Sequence, residues 1–217
     1  MSPFGIVLVP AIITLAVTIL RLVGELNGWS PALFDPEAGG GGAIVGIAWL
    51  VPIFGIYFAW KLYHSGNLSA SYRTLGFGAL GLAAFVVIAF GGSMLFGLDP
   101  NQVSLASLVV TILAALVGLG IAYAGSPVLG KTLVVYGLAA RIPVILVMLL
   151  AILGNWGTHY DVVPPGFPEM GAFSKWFLIG VVPQLTIWMG YTVVLGAIFG
   201  GIALLVAERR RAAVRTA

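Results

Sequence analysis

The sequence predicts an all-α integral membrane protein, a bundle of six transmembrane helices with both termini cytoplasmic and two long structured outer loops. Three observations carry that expectation. Of 217 residues only ten are Lys or Arg and seven Asp or Glu, while 60% are hydrophobic and the mean hydropathy is +1.11. A soluble domain carries about a quarter charged residues to cover its surface, so this chain lacks the polar groups a water-soluble globule needs. The apolar residues fall into long continuous runs without strand-like alternation. The few charges are sorted between the two sides of those runs.

Each run is judged against the roughly 20 apolar residues that cross about 30 Å of hydrocarbon as a helix. Six qualify: about 4–23, 42–63, 75–96, 103–123, 133–153 and 177–206. No basic residue precedes the first run and no small-x-small cleavage site follows it, which favours a retained helix over a signal peptide. The last run is long enough to tilt or to project from the bilayer. Continuous runs favour helices over barrel strands, because an isolated helix satisfies its own backbone polar groups.

Charge then sets the orientation. With both termini inside, Lys61, Arg73, Lys131, Arg141, Arg209, Arg210, Arg211 and Arg215 are inner, and only Arg21 and Lys175 are outer. Glu25, Asp35, Glu37, Asp99, Asp161 and Glu169 are outer, and Glu208 alone is inner. Eight cations less one acid leave +7 inside, and two cations less six acids leave −4 outside, which together make the formal +3. That asymmetry follows the positive-inside rule, and the expected location is a bacterial or archaeal plasma membrane. The outer connections near 24–41 and 154–176 are long and rich in Gly, Pro and aromatic residues. The middle one, 97–102, is short.

The chain reads as a single transmembrane domain with a weak internal repeat. Asn27, Trp29, Phe34 and Glu37 of the first outer loop are echoed by Asn155, Trp156, Phe167 and Glu169 of the third. Val51 with Pro52 and Val182 with Pro183 follow the two loops, and Val9 with Pro10 and Ile142 with Pro143 precede them. Hairpins 4–63 and 133–206 are therefore possible relatives about an axis along the membrane normal. The middle hairpin has only an echo between Phe96 and Pro100.

Candidate chemistry lies where charge or polarity interrupts the apolar pattern. Arg141 sits about eight residues into the fifth run, about 12 Å deep at 1.5 Å per residue. Two readings stand: an inward anion contact, or a side chain snorkelling to the headgroups. Arg21 and Glu25 are four apart and share a helix face, as a structural ion pair or a seat for a phosphate or carboxylate. His159 and Asp161, beside Trp156 and Tyr160, combine a titratable base with an acid at the outer interface. Gln184, Trp188 and Tyr191 make a polar-aromatic stripe, either a ligand path or interhelical packing. Ser104, Ser107 and Thr111 form a similar stripe on the fourth helix.

Other patterns carry less. Gly76 to Gly81 matches GxGxxG in letters but opens an apolar helix, with no strand before it and no acid about 20 residues on. Gly42 and Gly46 suit close helix approach. The sequon at Asn67 lies on the inner side. His64 and His159 lie on opposite sides and cannot share a haem or metal. The acids are too sparse for a calcium shell. The chain has no cysteine, which excludes disulfides, thiolate metal sites and a cysteine nucleophile. The basic C-terminus anchors its end inside, with anionic lipid as a possible contact.

No cofactor or metal is implied, membrane lipids are the expected partners, and no nucleic acid is expected. The leading functional expectation is binding or transport of a small or lipid-like ligand through Arg21, Glu25, Arg141, Gln184, Trp188 and Tyr191. A non-catalytic subunit that binds a protein partner through its outer loops is the first rival. An outer-leaflet enzyme using Arg21, His159 and Asp161 on a lipid-like substrate is the second; whether the protein is an enzyme stays open, leaning against.

Overall fold

A backbone buried in hydrocarbon must satisfy its own N–H and C=O groups, and the apolar runs of this chain do so as helices. The computed structural model describes residues 3–40, 42–69, 72–99 and 104–216. Among them lie α1 (Pro3–Leu26), α2 (Leu50–His64), α3 (Tyr72–Leu95), α4 (Leu105–Gly125), α5 (Pro127–Gly154) and a final broken rod. The rod comprises α6 (Ala172–Lys175), a π-helical turn (Trp176–Val181), α7 (Val182–Leu185) and α8 (Ile187–Thr216). Six helical rods result, and no strand occurs among the described residues.

Five of the rods are long and apolar enough to cross a membrane: Gly5–Leu26, Tyr72–Leu95, Leu105–Gly125, Pro127–Gly154 and Ala172–Arg211. The chain is thus a multi-pass integral membrane protein by helix length and composition. The second rod departs from expectation. Helix α2 has 15 residues, about 22 Å, short of the roughly 30 Å hydrocarbon core. Residues 43–49, expected to be helical, are irregular. The Ile44 and Val45 amides instead donate to the carbonyls of Ala32 and Leu33, at 3.2 and 3.1 Å, so this stretch is tied to the first long loop. Gly42 and Gly46 are consequently not a helix-packing pair.

Close glycine contacts fix the directions of the helices. A Cβ on Gly81 would lie 2.6 Å from the Gly118 carbonyl, and one on Gly125 would meet Phe77, so α3 and α4 run antiparallel. Of the GxGxxG glycines, Gly81 makes this contact, Gly78 lies against Ile198 of α8, and Gly76 has nothing near its missing Cβ. Gly55 meets Gly196 and Gly200 meets Ala59, so α2 and α8 run parallel. Thr14 hydrogen-bonds Tyr136 at 2.9 Å and Tyr160 reaches the Thr18 carbonyl at 3.3 Å, which aligns α1 with α5. Helix α8 also packs on α3, α4 and α5, and is the central rod. The core joins Val51, Phe54 and Phe58 of α2 to Leu129, Leu133 and Tyr136 of α5 and Val193, Ala197 and Leu204 of α8. Helix α3 buries only Thr74, Gly78 and Gly81, and leaves Val87, Phe90 and Met94 exposed.

The two long connections, after α1 and after α5, meet at one end of the bundle. Helix α5 begins six residues earlier than the apolar pattern suggests. Ser126 turns the chain sharply between α4 and α5, and Pro127 starts α5 at a position where its missing N–H costs nothing. The break in the last rod has a similar cause. Pro183 cannot donate to the preceding turn, and the π turn and a non-helical Thr186 (φ −121°, ψ −73°) absorb the mismatch. The short middle connection, with the Pro100 echo, lies partly outside the described residues.

Candidate functional site

At the long-loop end, Arg21 and Glu25 are one helical turn apart, and the Arg21 Nε donates to Glu25 Oε1 at 2.7 Å. Nη2 of Arg21 donates to the Asp35 carbonyl at 3.0 Å, which binds the first loop to α1. A Cβ on Gly46 would sit 3.2 Å from the Arg21 Nη1, so glycine lets the unwound stretch approach the guanidinium without pushing it aside by a few tenths of an ångström.

The third loop supplies the other half of this cluster. Asn155 ends α5 in the left-handed region (φ 49°), which asparagine tolerates. Asp161 then folds the loop on itself: its carboxylate accepts from the Gly157 amide at 3.0 Å and from the Thr158 amide and hydroxyl at 2.8 and 2.7 Å. That turn presents His159 to Glu25. The His159 amide donates to Glu25 Oε2 at 2.9 Å and Nδ1 reaches Oε1 at 2.6 Å. An ionised carboxylate only accepts, so Nδ1 carries the proton and Nε2 holds the lone pair. The Glu25 side chain is fully buried. Burial holds the His159 imidazole below its usual range, and Arg21 adds to this against the opposing bond from Glu25. Burial likewise pushes the Tyr160 phenol up, with the Glu25 charge adding to it. The acid paired with His159 is therefore Glu25, whereas Asp161 holds the loop.

Deeper in the bundle, Arg141 is only 3% exposed. With α5 starting at Pro127, it lies 14 residues along a 28-residue helix, about 21 Å from that end. It faces the interior and does not snorkel. Its Nη1 donates to Gln184 Oε1 over a long 3.4 Å, and its guanidinium lies 4.8 Å from the Trp188 ring centre. Nε is buried with no hydrogen-bond partner. No carboxylate pairs with Arg141 among the described residues. Trp188 packs edge-on against Tyr191, whose hydroxyl donates to the Ala48 carbonyl of the unwound stretch at 3.3 Å. Gln184 and Trp188 lie on either side of the Thr186 break, so the sequence stripe is assembled from two helical pieces.

One cavity of about 560 Å³ joins the two clusters. Arg21, His159 and Tyr160 line it toward the loops, and Arg141, Gln184, Trp188 and Tyr191 line its inner part. Its walls are otherwise mainly apolar, including Ile47, Trp49, Met148 and Phe167. The volume falls within the roughly 300–1,000 Å³ of small-molecule sites. Glu25 stands behind the wall, bridging Arg21 and His159. Two guanidinium groups against one carboxylate give the lining a positive bias.

The sequence reading missed the unwound 43–49 stretch and the Glu25–His159 bond. The last joins residues 134 positions apart and has no local signature. Ser104 and Ser107 cap α4 reciprocally at 3.1 and 2.8 Å, and Thr111 bonds the Ser107 carbonyl, so that stripe serves its own helix. His64 bonds the Trp60 carbonyl, on α2. No group of three metal-ligating side chains occurs among the described residues. No protein-family model, curated protein or solved structure matches the chain.

Proposed function

We propose that the protein binds, and in a membrane carries, an amphipathic anion whose acidic group meets Arg141 and whose apolar body lies against the cavity walls. Arg141 is the observation behind this reading. A guanidinium at the middle of a spanning helix is costly unless it meets a counter-charge or water. Gln184 and Trp188 contribute a dipole and a ring face but no negative charge, and Arg141 lines the cavity. A planar guanidinium suits a carboxylate or phosphate because it donates two parallel hydrogen bonds. Six membrane passes with both termini cytoplasmic, as the charge sorting favours, would open the cavity toward the outer leaflet.

The test uses the full chain in phosphatidylcholine nanodiscs with dodecyl phosphate, dodecanoate and dodecyltrimethylammonium as probes. The two anions are expected to bind and the cation not. Arg141→Gln is expected to weaken anion binding at least about tenfold, the loss of about 1.4 kcal/mol or more that a charged hydrogen bond supplies. Equal binding of anion and cation, or an unchanged Arg141→Gln variant, would overturn the proposal.

The His159–Glu25 pair favours a second reading, proton transfer at the cavity mouth. A buried carboxylate that fixes an imidazole tautomer leaves Nε2 basic, as acid–base catalysis requires. On that reading an ester or phosphoester probe is hydrolysed by the wild type and not by His159→Gln. Absence of turnover in both would leave binding as the function.

A further inference from the structure

The opposite end of the bundle holds a second open cavity, of about 1060 Å³, which shares no lining residue with the first. It is a groove between α2 and α8, both of which turn one face to it. Ile56, Ile202 and Val206 line its apolar part and are 44, 44 and 46% exposed. Arg210 and Arg211 line its far end with Trp60 and His64. We propose that this groove binds one anionic phospholipid, an acyl chain along Ile56, Ile202 and Val206 and the phosphate at Arg210 and Arg211.

The argument rests on how polarity changes along the groove. From Ile202 to Arg210 is eight residues, about 12 Å along α8, so apolar wall gives way to paired guanidinium groups within one leaflet's depth. A phospholipid has that same profile. A free phosphate would leave the apolar wall unused, and a spanning partner helix would present no anion where the arginines stand. No carboxylate lines the groove. The neighbouring acid, Glu208, accepts the Tyr63 hydroxyl at 2.6 Å, and both lie beside Arg211, whose guanidinium borders them as well as the groove. Lys61 adds a third cation beside it, with Nζ 5.5 Å from the Trp60 ring centre and 5.9 Å from that of Tyr57. Trp60 and Tyr63 are the amphipathic aromatics that favour the headgroup level. Basic residues just beyond a spanning helix attract anionic lipid, and the planar arginine fork adds geometric fit to phosphate.

Native mass spectrometry of the full chain, loaded from an equimolar mixture of phosphatidylglycerol and phosphatidylcholine with matched acyl chains, tests this. The wild type is expected to retain one phosphatidylglycerol severalfold over phosphatidylcholine. Arg210→Gln with Arg211→Gln removes the preference, and Ala203→Leu, which narrows the groove and keeps the charge, removes the retained lipid. Arg209→Gln, outside the groove, keeps both. The double arginine variant sits on an exposed helix end, so its thermal unfolding stays at the wild-type midpoint. Equal retention of the two lipids by the wild type overturns the site. So does an Arg209→Gln loss as large as that of the double variant, which would mean diffuse charge attraction, or a second copy of the chain retained in place of lipid.

Discussion

Glu25 gathers three donors on two oxygens and so ties α1 to the third loop. Oε1 takes both the Arg21 Nε and the His159 Nδ1, and Oε2 takes the His159 amide. The third loop is thereby clamped to α1. His159 is neutral in this clamp, because burial holds it below the 6.5 of a free imidazole. The unfolded chain takes up a proton near pH 6.5 and the folded chain only at a lower pH, so the unfolded state binds more protons between the two values. Stability is full above about 6.5 and falls on acidification until the folded His159 also protonates. Thermal unfolding between pH 8 and 5 is expected to show this slope in the wild type and a shallower one in His159→Gln; identical slopes would refute it. Arg21 and Glu25 are legible as a pair from their spacing, and His159 as a base from its type. Their union is not, since a hydrogen bond across 134 residues depends on tertiary placement alone. Asp161 illustrates the converse. Proximity to His159 in sequence suggested a shared role, yet a short Asp side chain three residues after Thr158 closes a turn more readily than it reaches a neighbour's ring.

The helices divide into those read correctly by apolar length and those altered by backbone chemistry. Helices α3 and α4 follow their runs closely, because nothing in them interrupts the hydrogen-bond ladder. Helix α2 is cut short because residues 43–49 bond to the first loop, and α5 is lengthened because Pro127 can begin a helix. Hydropathy measures neither effect. The glycines matter where helices touch. A Cβ at position 55 would lie 2.7 Å from the Gly196 carbonyl. Gly55→Ala is therefore expected to destabilise the bundle by about 1–3 kcal/mol, as overpacking does. Gly91, with nothing near its missing Cβ, serves as control: Gly91→Ala is expected to be neutral or stabilising by up to about 1 kcal/mol. Reversible unfolding in mixed micelles distinguishes the two, and equal effects would show that the α2–α8 approach is not close.

At the scale of the whole molecule, the parallel pairs α1–α5 and α2–α8 put the two suggested hairpins side by side. The cavity is built from the first, second and last thirds of the chain. The absence of cysteine makes the orientation directly measurable. Single cysteines at Asn67 and Gly166 are expected to react with a membrane-impermeant maleimide from the cytoplasmic and outer sides respectively; labelling of both from one side would reject the arrangement. The placement of Arg141 also bears on how the protein is made. Helix α5 leaves the ribosome before Gln184 and Trp188 exist, and a lone arginine at a helix centre costs about 2.5–3.5 kcal/mol to insert. Until the last rod enters, a nascent chain holds that guanidinium with neither dipole nor ring beside it. Entry of the final rod is the step that brings Arg141 its Gln184 and Trp188 contacts.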